Sequence, residues 1–510
     1  MDIELFANVF FPHYCSSPFN PFHRDLFSYW KQVTERGRKR VTAAPRGYAK
    51  STFVTLIKPI HDICYGLEKY IVILSDTQNQ AIGKLKALRS EILTNKTLTD
   101  FYGLAFDRKR PAESRFVVNG FAGDTQCEAY GSGTEIRGIR YNQWRPTKII
   151  LDDSEDSEAV YNEELRGKLE DWFYQVVSKV GTKDTNIEFV GTMLHRKSLL
   201  KTLLDNPVYE GKLYRAIIAW NESNLWRTWE SMYMNVDDDD RKHTAKAFFE
   251  NNKEEMLEGH EILWPENESY YDLMIEILET GRRNFFKEKQ NDPLGAEDSV
   301  FERFHFYREH EQGMLLESSN VLIPHKHLEG NAYGTLDPAT GQTKAKKGKQ
   351  GDFSCLLSGY LEPKGRLLVH MDDTKREPPT KFIQRIFDNH ELLGYNKFGV
   401  ETNLYRNLLL QNIVMERKRR EKETGKLVKI PFYDIENVDN KEKRIYTLEP
   451  KVTHGWIVFN KSLSREFMHQ LQDFPHADHD DCPDSLEMLW GLTHKQYKPS
   501  PISLDAIGST

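Results

Sequence analysis

The chain has 510 residues, 39% hydrophobic and 29% charged, with a formal net charge of −7. This is the composition of an ordinary globular protein with material for two or three cores, and its acidic balance excludes wholesale basic wrapping of nucleic acid, leaving only a local basic groove for such contact. Five cysteines (Cys15, Cys64, Cys127, Cys355, Cys482) without C-x-x-C spacing exclude a zinc ribbon and a disulfide framework and fit a reducing compartment, and with no run approaching the ~20 apolar residues of a membrane span and no leader-like N-terminus the expectation is a cytosolic protein.

From about residue 40 to 220, apolar runs alternate with amphipathic stretches. Arg40–Ala44, Tyr70–Ser75, Lys148–Leu151 and Asn186–Val190 read as buried parallel strands, and Thr77–Leu93 as a helix. Such alternation predicts a doubly wound sheet whose ligands bind at the carboxyl ends of the strands. At the first of these ends stands P-R-G-Y-A-K-S-T, Pro45 to Thr52. A phosphate loop needs converging backbone N–H groups, a lysine for the β- and γ-phosphates and a hydroxyl for Mg²⁺. Lys50 and Ser51 fill the last two roles, with Thr52 as a second hydroxyl. The consensus glycines are replaced by Ala44 and Ala49, while Gly47 supplies freedom and Tyr48 completes the loop. Arg46, inside the loop, could reach the γ-phosphate or form a structural salt bridge. About a hundred residues on, K-I-I-L-D-D-S-E-D (Lys148 to Asp156) brings Asp152 and Asp153 to the sheet edge. Asp152 would hold Mg²⁺, and Asp153 or Glu155 would orient the attacking water. Gly131–Arg140 reads as a nucleotide- or DNA-sensing loop or a plain surface loop. Val190–His195 puts Thr192 at the same edge, where it could couple γ-phosphate loss to movement, and His195 reads as a loop histidine.

Residues 221–300 are polar and helical in pattern, expected to pack on the first domain, with Asp237–Asp240 as a solvated turn. A linker is expected at 301–325. The second alternation then gives strands Ala332–Asp337, Phe353–Leu361 and Leu367–Met371, a helix Thr380–Leu393, strand Lys397–Glu401, and helices Leu404–Met415, Ser464–Asp473 and Asp484–Leu492. Three strands, helix, strand, helix, with acids at strand ends, is the ribonuclease H-like order. Asp337 ends the first strand, Glu401 the fourth, and Asp481 and Asp484 stand three apart at a helix start, hence on one face. Such carboxylates suit a two-metal phosphodiester centre holding two Mg²⁺ or Mn²⁺. Asp352, His479 and Asp480 are accessory candidates. Two basic insertions, Lys344–Lys349 and Glu416–Lys422, read as a DNA-facing rim or as solvated hairpins.

R-G-Y-A-K-S-T, G-S-G-T-E-I-R-G-I-R-Y-N-Q-W-R-P-T-K-I-I-L-D-D, V-G-T-M-L-H and H-D-D-C-P-D-S-L together resemble the large terminase subunit of tailed bacteriophages, over nearly the whole chain. The resemblance implies an α/β protein: a P-loop (ASCE-type) doubly wound ATPase domain over 1–300, a linker over 301–325 and a ribonuclease H-like nuclease domain over 326–510. It places the loop arginine on Arg46, the loop lysine on Lys50, the hydroxyl on Ser51, the magnesium aspartate on Asp152 and the coupling motif on Val190–Met193. The family's adjacent glutamate falls on Asp153, a departure that keeps Glu155 as a rival, and its adenine contact on Pro21–His23, with His23 for the usual glutamine. The nuclease acids fall on Asp337, Glu401, Asp481 and Asp484. It further implies ATP and Mg²⁺ as cofactors, and double-stranded DNA, a portal protein and a small terminase subunit as partners. The expected assembly is a pentameric homo-oligomeric ring on the procapsid, in the host-cell cytoplasm and absent from the mature virion. Alternatives are a helicase or restriction-type translocase, a packaging ATPase whose nuclease domain is inactive, and a transposase-like recombinase with an appended ATPase.

Overall fold

The structure, a computed structural model, describes residues 2–31, 35–106, 112–156, 160, 162–293, 300–301, 303–338, 354–401, 406–435, 441–475, 477, 479–494 and 500–501. Ala339, the basic run Lys344–Lys349, Asp352, Phe353 and the start of the helix expected at Leu404 lie outside them. The chain divides into two compact units: 1–222, 257–277 and 283–295 form the first, and 223–256, 278–282 and 296–510 the second.

The first unit is built on an eight-stranded sheet. In chain order its strands are β1 (Lys39–Ala43), β2 (Tyr70–Ser75), β3 (Ala105–Phe106), β4 (Arg115–Gly120), β5 (Gly123–Gly131), β6 (Lys148–Asp152), β7 (Asn186–Gly191) and β8 (Glu210–Leu213). Their spatial order is β3-β4-β5-β2-β6-β7-β1-β8, all running one way except β4, which is antiparallel to both its neighbours. Every residue of β2 and β6 is buried, as expected of central parallel strands covered on both faces. Lys148, at the head of β6, is buried only because Asp62 (3.0 Å) and Glu188 (2.8 Å) pair with it. One strand, β7, separates β1, which leads into the loop Pro45–Thr52, from the acid-bearing β6. The ends of β1, β7 and β6 therefore meet along one edge. A small antiparallel pair, β9 (Ile217–Ala219) with β10 (Glu261–Ile262), completes the unit.

The second unit carries a ten-stranded mixed sheet. Its strands are β11 (Phe306–His310), β12 (Gly313–Leu316), β13 (Leu322–Pro324), β14 (Ala332–Asp337), β15 (Ser354–Leu361), β16 (Leu367–Lys375), β17 (Tyr395–Glu401), β18 (Phe432–Ile435), β19 (Ile457–Asn460) and β20 (Ser500–Pro501). The order is β13-β12-β11-β19-β16-β15-β14-β17-β18-β20, with β14–β15–β16 antiparallel and β14–β17–β18 parallel. Side chains alternate across β14. Ala332 and Leu336 join the core with Phe382, Ile386 and Phe398 on one face. Tyr333 points to the other, among Leu486 and Leu489 of helix Asp481–Thr493, where Thr335 meets Ser485 at 3.2 Å. Asp337, two residues on, therefore faces the same helix. Gly334 admits Phe398 to the first core, since a Cβ there would stand 2.5 Å from the Phe398 ring.

Two expectations change. The segment 301–325 is not a linker: three of its stretches form β11–β13, and Glu309–Gly313 is a hairpin tip rather than a hinge. The helical stretch expected at 221–300 is helical, but 223–256 and 278–282 belong to the second unit. Trp456 Nε1 donates to Met234 O at 2.7 Å there, and Arg366 pairs with Asp237 at 3.1 Å, so the acid run is a turn with one paired end.

Candidate active sites

The first site gathers at the shared edge of β1, β6 and β7. After β1 the loop runs through Pro45, Arg46, Gly47 and Tyr48 into a helix that begins at Lys50. Gly47 has φ +86° and Ala49 φ +54°. Ala49 occupies the position where the consensus has glycine, and it takes the left-handed backbone that glycine would take, at a cost of about 1–2 kcal/mol. Lys50 is 7% exposed and donates to Thr192 Oγ1, beyond the end of β7, at 2.8 Å. Burial lowers its pKa, opposed by the Asp153 and Asp152 carboxylates. Asp152, wholly buried at the end of β6, accepts from Ser51 Oγ at 2.8 Å and Thr55 Oγ1 at 2.6 Å.

Thr55 is thus the second hydroxyl on Asp152. It lies one turn beyond Ser51 on the same helix face, within the π-helical stretch Thr52–Ile57, a distortion that clusters at functional sites. Thr55→Val is expected to lower unfolding free energy by about 1.5–3 kcal/mol, the range for hydrogen bonds to charged groups. Thr52→Val should stay within ~0.5 kcal/mol. Urea denaturation of the two variants checks this, and equal effects would remove Thr55 from the site.

Asp153 sits at φ +47°, its N–H bonded to Val190 O (3.1 Å) and its carbonyl to Asp76 N–H (3.0 Å). Both ends of this strained residue are held, as strain at a functional site requires. Its carboxyl opens on a cavity of about 290 Å³ that Arg46, Lys84, Glu155 and Thr192 also line. The enclosing walls raise its pKa and Asp152 adds to this, against Lys50. Glu155 is otherwise engaged: its two carboxylate oxygens accept from Leu199 N (2.7 Å) and Leu200 N (3.0 Å) at the start of helix Leu199–Leu204. Burial pushes its pKa up to about 7, with those two N–H groups holding it down.

Arg46 takes the salt-bridge alternative here, Nε to Glu288 Oε2 at 2.8 Å. His23, in the segment expected to contact adenine, lies beneath the loop. It is wholly buried, its ring 4.6 Å from that of Phe53 and Nε2 3.0 Å from Tyr48 O, and burial lowers its pKa to about 4. It ties helix Pro21–Trp30 to the loop as a neutral imidazole. His195 remains a loop histidine whose Nδ1 accepts from Lys197 N–H at 3.0 Å. In the Gly131–Arg140 stretch, Ser132 Oγ donates to Ser154 O at 2.7 Å, fixing its start against the acid loop. Lys84, Thr55 and Asn291, which accepts from Met193 N–H at 2.8 Å, fall outside every motif. Only the i,i+4 spacing of Thr55 from Ser51 could have signalled one of them.

The second site stands where β14, β17 and helix Asp481–Thr493 converge. Asp337, Glu401 and Asp484 each offer an oxygen, all within 4.8 Å of one another. Asp481 opens the helix outside this triad, yet its charge is among those that raise Asp337. Burial raises the Asp337 pKa most, then Asp484; Lys441 opposes, and Glu401 and Asp481 add. Asp484 is 4% exposed and held by Arg444 (2.8 Å) and Lys441 (3.3 Å); Lys441 also reaches Asp480 at 2.9 Å. Burial alone would lower the Lys441 pKa, but Asp484, Asp480 and Asp337 together raise it. His479 meets Arg376 at 3.0 Å, beside the cluster rather than in it. Three converging carboxylates among so few cations form a donor set for a hard divalent ion. Sequence reasoning missed Lys441 and Arg444, although the run K-E-K-R was visible.

In the basic insertion Glu416–Lys422 the arginines are paired, while Lys418 and Lys422 are exposed. The insertion is part of helix Arg406–Thr424, and Arg419 and Arg420 pair with Glu416, Glu423, Asp388 and Glu391. Arginines at i,i+3 and i,i+4 from glutamates neutralise themselves.

No protein-family model matches the chain, and no curated protein matches it in sequence. Among solved structures, the large terminase of a thermophilic bacteriophage is similar at TM-score 0.50 and 10% identity, over 93% of this chain and 99% of that one. The HK97 bacteriophage large terminase aligns over 96% of this chain and 99% of that one, at 12% identity and TM-score 0.37. A human cytomegalovirus terminase nuclease domain covers 34% of this chain and 87% of that one, at 12% identity and TM-score 0.25. The first of these likenesses shows a shared fold over nearly the whole of both chains; the other two carry no weight.

Proposed function

We propose that this chain is a viral DNA-packaging motor subunit, hydrolysing ATP to move double-stranded DNA into a procapsid and cutting concatemeric DNA at a metal-dependent centre. The observation that carries the reading is the pairing, on one chain, of a lysine–hydroxyl–aspartate edge with a three-carboxylate cluster. A motor that only translocates has no use for the second, and a plain nuclease none for the first. The partners this role needs are DNA, a portal, a small terminase subunit and further copies of this chain in a ring, probed as a pentamer, in the cytoplasm of an infected cell. Among the described residues no helix is long and apolar enough to cross a membrane.

At the first site Lys50 would neutralise the β- and γ-phosphates, and its contact with Thr192 ties that lysine to the end of β7. Asp152 and Ser51, 2.8 Å apart, would hold Mg²⁺, which would supply positive charge against the phosphates. Arg46, which already lines the cavity, must leave Glu288 to turn its guanidinium onto a phosphate there. Asp153 is the base: its carboxyl opens on the cavity, and its raised pKa suits accepting a proton from water. Glu155 instead caps a helix. Asp153→Asn is expected to slow hydrolysis by about 10²–10⁴-fold with ATP still bound. Glu155→Gln should keep a near wild-type rate and lose about 1–3 kcal/mol of stability. Single-turnover phosphate release with a binding assay separates the two; a dead Glu155→Gln that stays folded would exchange their roles.

At the second site Asp337, Glu401 and Asp484, with Asp481 beside them, would hold divalent ions, which supply an activated water and a stabilised leaving oxygen. Lys441 and Arg444 orient Asp484 and keep the cluster from repelling itself apart. The direct test is digestion of supercoiled plasmid with Mg²⁺, Mn²⁺ or EDTA, alongside DNA-stimulated ATP hydrolysis. Absence of cutting in every metal would leave a translocase.

A further inference from the structure

Lys84 lies in no phosphate-loop or acid motif, yet its ammonium reaches the acid at the centre of the first site. It rides on helix Gln78–Thr94, whose start is locked to the end of β5. Gln78 Oε1 accepts from Gly131 N–H at 2.9 Å, Gln78 Nε2 donates to Ala129 O at 3.0 Å, and a Cβ on Gly131 would stand 2.6 Å from Gln78 N. Ala81, Leu85, Leu88 and Ile92 bury the apolar face, leaving Lys84 on the flank beside the end of β6. There it forms an ion pair with Asp152 Oδ2 at 3.0 Å and also donates to the Asp152 carbonyl.

Asp152 is wholly buried and already accepts two hydroxyls, so Lys84 supplies the ion-pair charge that this carboxylate needs in an enclosed site. A divalent ion bound to the same carboxylate would stand next to that ammonium, and like charges at such separations exclude each other. Lys84 is only 22% exposed and also lines the cavity with Arg46 and Thr192. A lysine released from Asp152 therefore needs no opening of the fold to swing its four-carbon stem into that space. The cavity wall carries Asp76, Asp153, Glu155 and Asp156, so a polyphosphate entering it requires every cation the wall can offer.

We propose that Lys84 is an exchangeable cation, pairing with Asp152 and turning to the terminal phosphate of a nucleoside triphosphate when a divalent ion takes its position on that carboxylate. This rests on the ATPase reading above. The test uses the full chain with Asp337→Asn, which removes the second acid site from the metal count. Mn²⁺ binding without nucleotide is followed by electron paramagnetic resonance, and ATP and ADP affinities by displacement of a fluorescent analogue.

Lys84→Met is expected to bind Mn²⁺ about tenfold more tightly than its parent, the scale seen when an ion's surroundings change. It should keep ADP affinity and lose ATP affinity by a similar factor. Lys84→Gln, neutral but still able to donate to Asp152, should behave the same way and serves if the methionine variant does not fold. Unchanged Mn²⁺ affinity in a parent that binds and hydrolyses ATP overturns this inference alone, as does equal weakening of ATP and ADP. A parent that neither binds nor hydrolyses ATP overturns the ATPase reading itself.

Discussion

Lys50→Ala is expected to reduce ATP hydrolysis by about 10²–10³-fold, the cost of removing one preorganised charge donor from a transition state, while metal-dependent nicking of DNA continues. Lys50 is the buried cation whose ammonium meets Thr192 at the end of β7 with Asp152 and Asp153 nearby. The alanine variant should still fold. Burial lowers the Lys50 pKa below that of free lysine, so the unfolded chain binds its proton more tightly. The charged side chain then costs folding free energy at neutral pH, and this cost fades only as pH rises from the folded pKa towards the ordinary lysine value. Alanine removes that cost and leaves a small void in exchange, so the melting temperature should move by only a few degrees. Phosphate release and plasmid nicking, measured on one preparation, read out the two halves of the chain together. Undiminished hydrolysis would mean that Pro45–Thr52 is only a strand-to-helix turn.

The strands that carry chemistry were legible because burial on both faces writes itself as an uninterrupted apolar run. Tyr70–Ser75 and Ala332–Asp337 were read to the residue, and Lys148–Leu151 to within one. Strands with weaker patterns escaped. β3 and β13 have two and three residues, and β11 begins with Phe306 and Tyr307 but continues R-E-H, three exposed polar positions that resemble a linker. Side chains acting across elements escaped too, because nothing in local spacing says that Lys84 will meet Asp152 or that Arg444 will hold Asp484. Ala49 shows the converse. The consensus fails on its side chain, yet the backbone adopts the left-handed turn that consensus glycine exists to permit. His23 was visible as a residue but not as an environment: Phe53 and Trp264 pack around the residue expected at an adenine contact, and it is wholly buried.

Asp337→Asn should abolish metal-dependent DNA cleavage and leave ATP hydrolysis intact, and its stability should change in a direction that a merely structural aspartate would not show. Burial and the Asp484 carboxylate raise the Asp337 pKa, with Glu401 and Asp481 adding and Lys441 opposing. A carboxyl whose folded pKa is raised contributes stability below its unfolded pKa, near 3.8, and loses it as pH rises through the folded value. At pH 8 in EDTA burial of this carboxyl beside Asp484 therefore costs the wild-type fold free energy, and asparagine, isosteric and neutral, relieves it. The variant should melt higher than wild type at pH 8, by a margin that shrinks at pH 5. Mn²⁺ should reverse the order. An ion that binds only the folded state adds about 2.7 kcal/mol at a hundred times its Kd, and wild type has the full donor set to hold it. Differential scanning calorimetry across pH, with and without Mn²⁺, gives the whole pattern. A variant that is less stable than wild type in EDTA at pH 8, or that gains as much from Mn²⁺, would show that Asp337, Glu401 and Asp484 converge without forming an ion site.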